Sequence, residues 1–365
     1  MMFKGTKRFK KGEIDNLTAK FGGFNNGFTS YDFTAFCFSF ASDRWWSALE
    51  IESERMANNL FNPDEFELER QVILEELRME LDDPWESLRD AVSRRVFPGH
   101  PYRFPVAGLI GDVEHLELDR LVEFYHSRYV PENAVITVVG DIDRDRVCEE
   151  VEKRFGGFTN GSLQVEPEFE GPVYGPAMRL EVERPSPITR VSLALPAPAF
   201  NPKEFIALEV LDQILIGGKL SRLQRRLIED YQYATMINSE YAESRDPYLY
   251  NLRLELNDGI EVEKIEDVIF EELNKLSSEG VSRAELERAC TRAVVQFVSD
   301  IETTLDLAFQ IGILEILDNI SLVNEYSSLL ERVTPNDISQ FISQYFTRET
   351  TTTAFLRQKH GCCKP

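Results

Sequence analysis

Phe and Thr recur among polar positions over residues 24–30 and again over 32–41, and these two β-favouring stretches predict a β-hairpin. From residue 45 to 60 the apolar period lengthens to that of a helix. Asn62-Pro63-Asp64 supplies a second helix start, with proline at the first turn, and Asp82-Asp83-Pro84 ends that helix. Residues 116–129 predict a further helix, and residues 134–139 a short apolar strand closed by Gly140-Asp141. Residues 156–175 are rich in Gly, Pro, Asn and acidic side chains and read as a linker. The pattern then restarts with a strand at 188–194 and a helix at 202–214. Strands near 235–243 and 248–256 follow, then a helix at 262–277 and another opened by Val281-Ser282-Arg283-Ala284-Glu285. Two αβ halves result, residues 1–155 and 178–365, joined by 156–177, which suggests duplication without a residue-level repeat.

Candidate chemistry concentrates in the helix after Asn62. With Glu69 at zero on a helical wheel, Glu76 and Glu80 fall about 20° to either side. Phe66, Ile73 and Leu77 flank this stripe on one side, Val72 and Met79 on the other, while Gln71, Glu75 and Arg78 take the opposite face. Carboxylates buried there would need a cation to offset desolvation, and a divalent metal would serve. A solvated acidic ridge fits the same pattern.

Length and charge narrow the classes. At 365 residues the chain is long enough for two domains. A net charge of −23 opposes phosphate backbones and argues against nucleic acid as a partner. It would favour basic peptides, or simply keep the surface soluble. No apolar run is long enough for a membrane span. The five cysteines form no disulfide framework, which points to a reducing, cytoplasmic setting, with a periplasmic one still open. Cys37, Cys148 and Cys290 read as small core residues, and Cys362 and Cys363 with His360 as a frayed tail.

Several motifs together carry a resemblance. They are Glu54-Arg55-Met56-Ala57-Asn58-Asn59-Leu60, Glu69-Arg70, Glu75-Glu76-Leu77-Arg78-Met79 and Asp82-Asp83-Pro84. His100-Pro101-Tyr102, Phe124-Tyr125, Tyr129-Val130-Pro131-Glu132-Asn133-Ala134 and Val139-Gly140-Asp141 follow in order. The chain resembles the pitrilysin/insulinase zinc peptidases over nearly its whole length. The resemblance implies an α+β fold of two homologous αβ-sandwich or roll domains, each a mostly antiparallel sheet with helices packed on one face. It implies Zn2+ as cofactor and peptides or small unfolded proteins as substrates. Gly22-Gly23-Phe24-Asn25-Asn26-Gly27-Phe28-Thr29 matches the family's substrate strand, which makes Asn26, Gly27, Phe28 and Thr29 the candidate peptide-binding residues.

The family is an inverted zincin whose His-x-x-Glu-His motif supplies two zinc ligands and the general base. Members carry that motif directly before a segment like Met1-Met2-Phe3-Lys4-Gly5-Thr6. The resemblance therefore implies a chain cut just before Met1. Counted from there, Glu76 takes the register of the third zinc ligand and Glu69 that of a carboxylate supporting the metal site. His100, His115 and His126 lie in other motifs and read as structural. One ligand cannot hold catalytic zinc, so residues 1–365 alone are expected to be inactive.

The second half departs from the family as well. Aligned on Ser221-Arg222-Leu223, the positions of a substrate-binding Arg/Tyr pair hold Ile228 and Thr235, and neighbouring Arg225, Arg226, Tyr231 and Tyr233 have the wrong spacing to replace it. This matches two-gene family members, in which the zinc-bearing subunit pairs with a homologous partner carrying Arg and Tyr. The alternative is a non-catalytic peptide-binding or structural subunit.

Overall fold

The computed structural model describes residues 1–159 and 169–358. Cys362, Cys363 and His360 lie outside the described residues. The elements run α1 (Glu13–Lys20), β1 (Phe24–Thr29), β2 (Thr34–Ser39), α2 (Trp46–Asn58), α3 (Pro63–Asp82), α4 (Pro84–Val96), α5 (Ile110–Glu114), α6 (Leu118–Arg128) and α7 (Arg144–Phe155). Then come β3 (Met178–Glu181), β4 (Thr189–Ala197), α8 (Pro202–Leu215), β5 (Ala234–Glu240), β6 (Tyr248–Leu256), α9 (Val262–Glu279), α10 (Arg283–Asp300), α11 (Thr304–Ile316), α12 (Leu322–Leu330), α13 (Pro335–Tyr345) and β7 (Thr352–Leu356). The fold class is α+β. The described residues gather into two compact units. One takes residues 1–78, 106–159 and 300–318, and the other 79–105, 169–299 and 319–358.

In the first unit β1 and β2 pair antiparallel, with Phe24 opposite Ser39 and Thr29 opposite Thr34. Gly27 stands opposite Phe36. A Cβ there would come within 2.8 Å of the Phe36 ring, so the ring occupies the space glycine leaves. Cys37, Leu49, Ile51, Phe66, Leu74, Leu77 and Tyr125 are buried within this unit.

The start of α3 is local chemistry. The Asn62 side chain accepts from the Asp64 and Glu65 N–H groups at 2.8 and 3.2 Å, and Pro63 opens the helix. Its end is local too, but Asp83-Pro84 also begins α4, which the sequence pattern did not announce. The Asp83 carboxylate caps the Trp85 N–H at 2.7 Å. Two further expectations are corrected. Residues 134–139 form no ladder among the described residues, and Val135 and Ile136 are exposed. Apolar β-branched composition makes a segment extended, but only a hydrogen-bonded neighbour makes it a strand. Cys148 is exposed rather than core, on the outward side of α7.

The second unit is built on a sheet of order β3-β7-β4-β6-β5, parallel between β3 and β7 and antiparallel elsewhere. Residues Val191 to Leu195 of β4 and all of β7 are buried at successive positions, so both faces are covered. α8 covers the face bearing Tyr250, as the resemblance implies. α4, from the first half of the chain, covers the other, where Arg89 and Ser93 meet Ser192 and Asn251.

Beneath the Tyr250 face, Asp212 is buried and accepts from the Tyr250 hydroxyl at 2.8 Å. Burial pushes its carboxyl up, opposed in part by bonds from Ser239 and Tyr250. The folded chain therefore holds a proton that the unfolded chain releases. This stabilisation is full below the unfolded carboxyl pKa of about 4 and is lost as pH rises through the folded value. Asp212→Asn keeps the acceptor for Tyr250 without a charge. Its urea midpoint should exceed the parent's at pH 7 and converge with it near pH 4. A parent midpoint that stays level across that range would contradict this.

Candidate functional site

α3 carries the candidate carboxylates, and its environment differs from the wheel reading. The buried face is Phe66, Leu74 and Leu77. Val72 and Met79, expected to wall the stripe, are 48% and 73% exposed. Glu69 sits at the margin of the buried face and Glu76 is exposed. The stripe is thus a boundary and not a groove: packing claims the flank of Phe66 and Leu77, and the Val72 flank stays in solvent. Arg78 pairs with Glu75 on the outer face.

Glu69 is not free. Lys4 Nζ lies 2.5 Å from its Oε1. Phe3, next to Lys4 in sequence, packs edge-on against Phe36 at 6.0 Å, on the Gly27 rung of the hairpin. Consecutive residues Phe3 and Lys4 therefore tie β1–β2 to the Glu69 stripe. Lys4 is a partner that sequence reasoning missed, since nothing local in Met1-Met2-Phe3-Lys4 signals a contact with α3.

Among the described residues β1 is bonded on one side only, to β2. The Gly27 N–H is held by the Asn26 side-chain carbonyl at 2.9 Å, so it points away from the ladder. Asn26, Phe28 and Thr29 are exposed. The four residues expected to bind peptide thus lie along an edge, with the Gly27 N–H turned outward. On the opposite face of the hairpin, the Phe36 and Phe3 rings both lie against the Arg55 guanidinium, and Tyr125 donates to the carbonyls of Arg55 and Met56. Burial raises the Tyr125 pKa to about 12, so the hydroxyl keeps its proton.

The histidines are structural in the geometry. His100 Nδ1 accepts from the Tyr102 N–H at 3.1 Å, which leaves the proton on Nε2, 3.3 Å from Asp246. His115 is bonded to its own helix at Gly111 O, and His126 lies against Tyr125. Among the described residues no group of three His, Cys, Asp or Glu side chains is placed to hold a metal ion. The described residues do not fit zinc as a complete site: Glu69 is engaged by Lys4, and Glu76 belongs to no group of three donors.

In the second unit, Ile228 falls on a π-helical turn, Gln224–Asp230. Thr235 is the extra residue of a bulge between Ala234 and Met236, with its hydroxyl on Glu255 O at 3.3 Å. Both irregularities re-aim side chains. Neither side chain presents a cation or a phenol. Arg226 does not replace them, because it is committed to Glu271, Glu272 and the Tyr231 hydroxyl. Arg225 faces Asp230 at 3.6 Å.

Two family models match the chain: insulinase (peptidase family M16) over residues 1–108, and peptidase M16 inactive domain over residues 115–292. Together they take in more than three quarters of it. The chain belongs to the M16 peptidase family. Among its M16 relatives is the zinc protease PqqE of Helicobacter pylori, 28% identical over 359 residues, covering 97% of this chain and 81% of the relative. An uncharacterized zinc protease of Streptomyces coelicolor is 25% identical over 347 residues, covering 93% and 75%. The crystal structure of a protease from Helicobacter pylori superposes with a TM-score of 0.90 at 26% identity, over 98% of this chain and 87% of that one. A peptidase M16 inactive domain from Pseudomonas fluorescens shares the fold, with a TM-score of 0.84 at 20% identity, over 99% and 86%. No helix among the described residues is long and apolar enough to cross a membrane.

Proposed function

We propose that this M16 chain is the peptide-docking, zinc-ligand-bearing half of a two-subunit endopeptidase and that residues 1–365 alone bind peptide without cutting it. The reading rests foremost on the Phe3–Lys4 link, which holds the open β1 edge and the Glu69/Glu76 stripe in one compact unit. An extended peptide would add beside β1 through the main chain of residues 26–29, an arrangement that gives affinity with little dependence on sequence. Glu76 would contribute one zinc ligand and Glu69 a supporting carboxylate, with the metal completed by histidines that the 365 residues do not supply in a His-x-x-Glu-His arrangement. The zinc itself would polarise the scissile carbonyl and activate water. Ile228 and Thr235 lack the donors of the Arg/Tyr pair, and so the reading assigns that pair to a homologous partner subunit. The proposed substrates are extended peptides and small unfolded proteins.

Binding can be tested apart from hydrolysis. A fluorescent nine-residue extended peptide should bind residues 1–365, and N-methylation at alternate positions should weaken it by about tenfold per blocked main-chain hydrogen bond. Binding indifferent to N-methylation at every position would overturn the strand-edge reading.

A further inference from the structure

The β1 edge also carries a side-chain subsite. Residues paired across an antiparallel ladder share a face, so Phe28 lies with Ala35, Asn26 and Cys37, while Gly27 and Phe36 face Phe3 and Arg55. On the Phe28 face stands α11, which contacts β2 and belongs to the same compact unit although more than 270 residues separate it from β1. The Phe309 ring of α11 lies 5.1 Å from Phe28, and the Phe33 ring meets Phe28 edge-on at 5.8 Å. Phe28 nevertheless remains 39% exposed. Thr303 caps the first turn of α11 through the Asp306 N–H, and the helix passes Thr137 at Gly312.

We propose that Phe309 and Phe28 form a specificity subsite of the β1 edge that selects peptides with a large aromatic or branched apolar side chain. The proposal rests on the strand-edge reading and gives it a substrate class. A docked strand alternates its side chains, so one residue of the peptide must lie beside Phe28 on the face that Phe309 borders. Main-chain bonding alone yields little net affinity there. The Gly27 N–H already has the Asn26 carbonyl, and a peptide carbonyl must displace it, one acceptor for another. Selectivity then falls to the side chain that completes the half-covered aromatic cluster.

The test uses the 365-residue chain and nine-residue fluorescent peptides in which one phenylalanine is moved through an Ala/Ser/Lys background. One register should bind about tenfold more tightly than the all-alanine version. Phe309→Ala should erase that preference while leaving the all-alanine peptide within about twofold, and Phe309→Leu should keep most of it. Unchanged circular dichroism separates this from misfolding. Peptide binding without a phenylalanine preference, or a preference that survives Phe309→Ala, overturns the subsite and leaves strand docking intact. Absence of any binding sensitive to N-methylation overturns both.

Discussion

Purified residues 1–365, passed over a chelating resin and offered zinc, should retain far less than one equivalent and leave every test peptide uncut. A catalytic zinc needs three protein ligands and an open position, and the described residues bring no three donors together. Glu76 stands alone in solvent, and Glu69 already has Lys4. Joining a family His-x-x-Glu-His helix directly before Met1 should raise retention to about one equivalent. In that extended chain Glu69→Gln should weaken zinc by about 10- to 100-fold, as loss of a supporting carboxylate does, and Glu76→Gln by more. Hydrolysis should stay low until a homologous subunit with the Arg/Tyr pair is added, because missing transition-state donors cost on the order of 10²–10³ in turnover. Metal content and peptide cleavage, measured alone and mixed, decide the matter. Stoichiometric zinc on the unextended chain would refute the ligand assignment, and equal cleavage with and without the partner would refute the division of labour.

Arg55→Leu should be the most damaging single change in the first unit, destabilising it by about 3–5 kcal/mol. Arg55 has no exposed surface, and its Nη1 bonds Glu52 at 2.9 Å. The guanidinium carbon lies 4.3 and 4.4 Å from the Phe3 and Phe36 rings, whose π faces stand where Nε and Nη2 find no other acceptor among the described residues. Burial lowers the Arg55 pKa and raises that of Glu52, and each charge opposes the other's shift. Remove the cation and the carboxylate is left without its partner. Two consequences separate this account from simple loss of packing. Adding Glu52→Gln should recover most of the loss, since a neutral amide needs no counter-charge. The single variant's deficit should also shrink as pH falls from the raised folded-state pKa of Glu52 toward the ordinary carboxyl value of about 4. Hydrogen exchange in α2 during urea titration reads both effects. A double variant no better than Arg55→Leu would show that ring packing, and not the ion pair, carries the energy.

Much of this molecule was legible in the sequence because much of it is decided locally. The Phe- and Thr-rich stretches marked β1 and β2, and Asn62-Pro63-Asp64 marked the first turn of α3 through bonds between near neighbours. The lack of cation and phenol at Ile228 and Thr235 was legible as well, since it belongs to the residue types wherever they sit. What the sequence left open were choices among equivalent local options. A helical wheel permits either flank of the Glu69–Glu76 stripe to be buried, and the neighbours of Leu74 and Leu77 chose one, leaving Val72 and Met79 in water. Residues 134–139 have the composition of a strand, but a ladder needs a second strand. Lys4 on Glu69 and Phe309 on Phe28 join residues 65 and 281 positions apart. No periodicity in the chain encodes such pairs, because they arise only when packing of the apolar faces brings distant segments within the few ångströms over which ion pairs and ring contacts act.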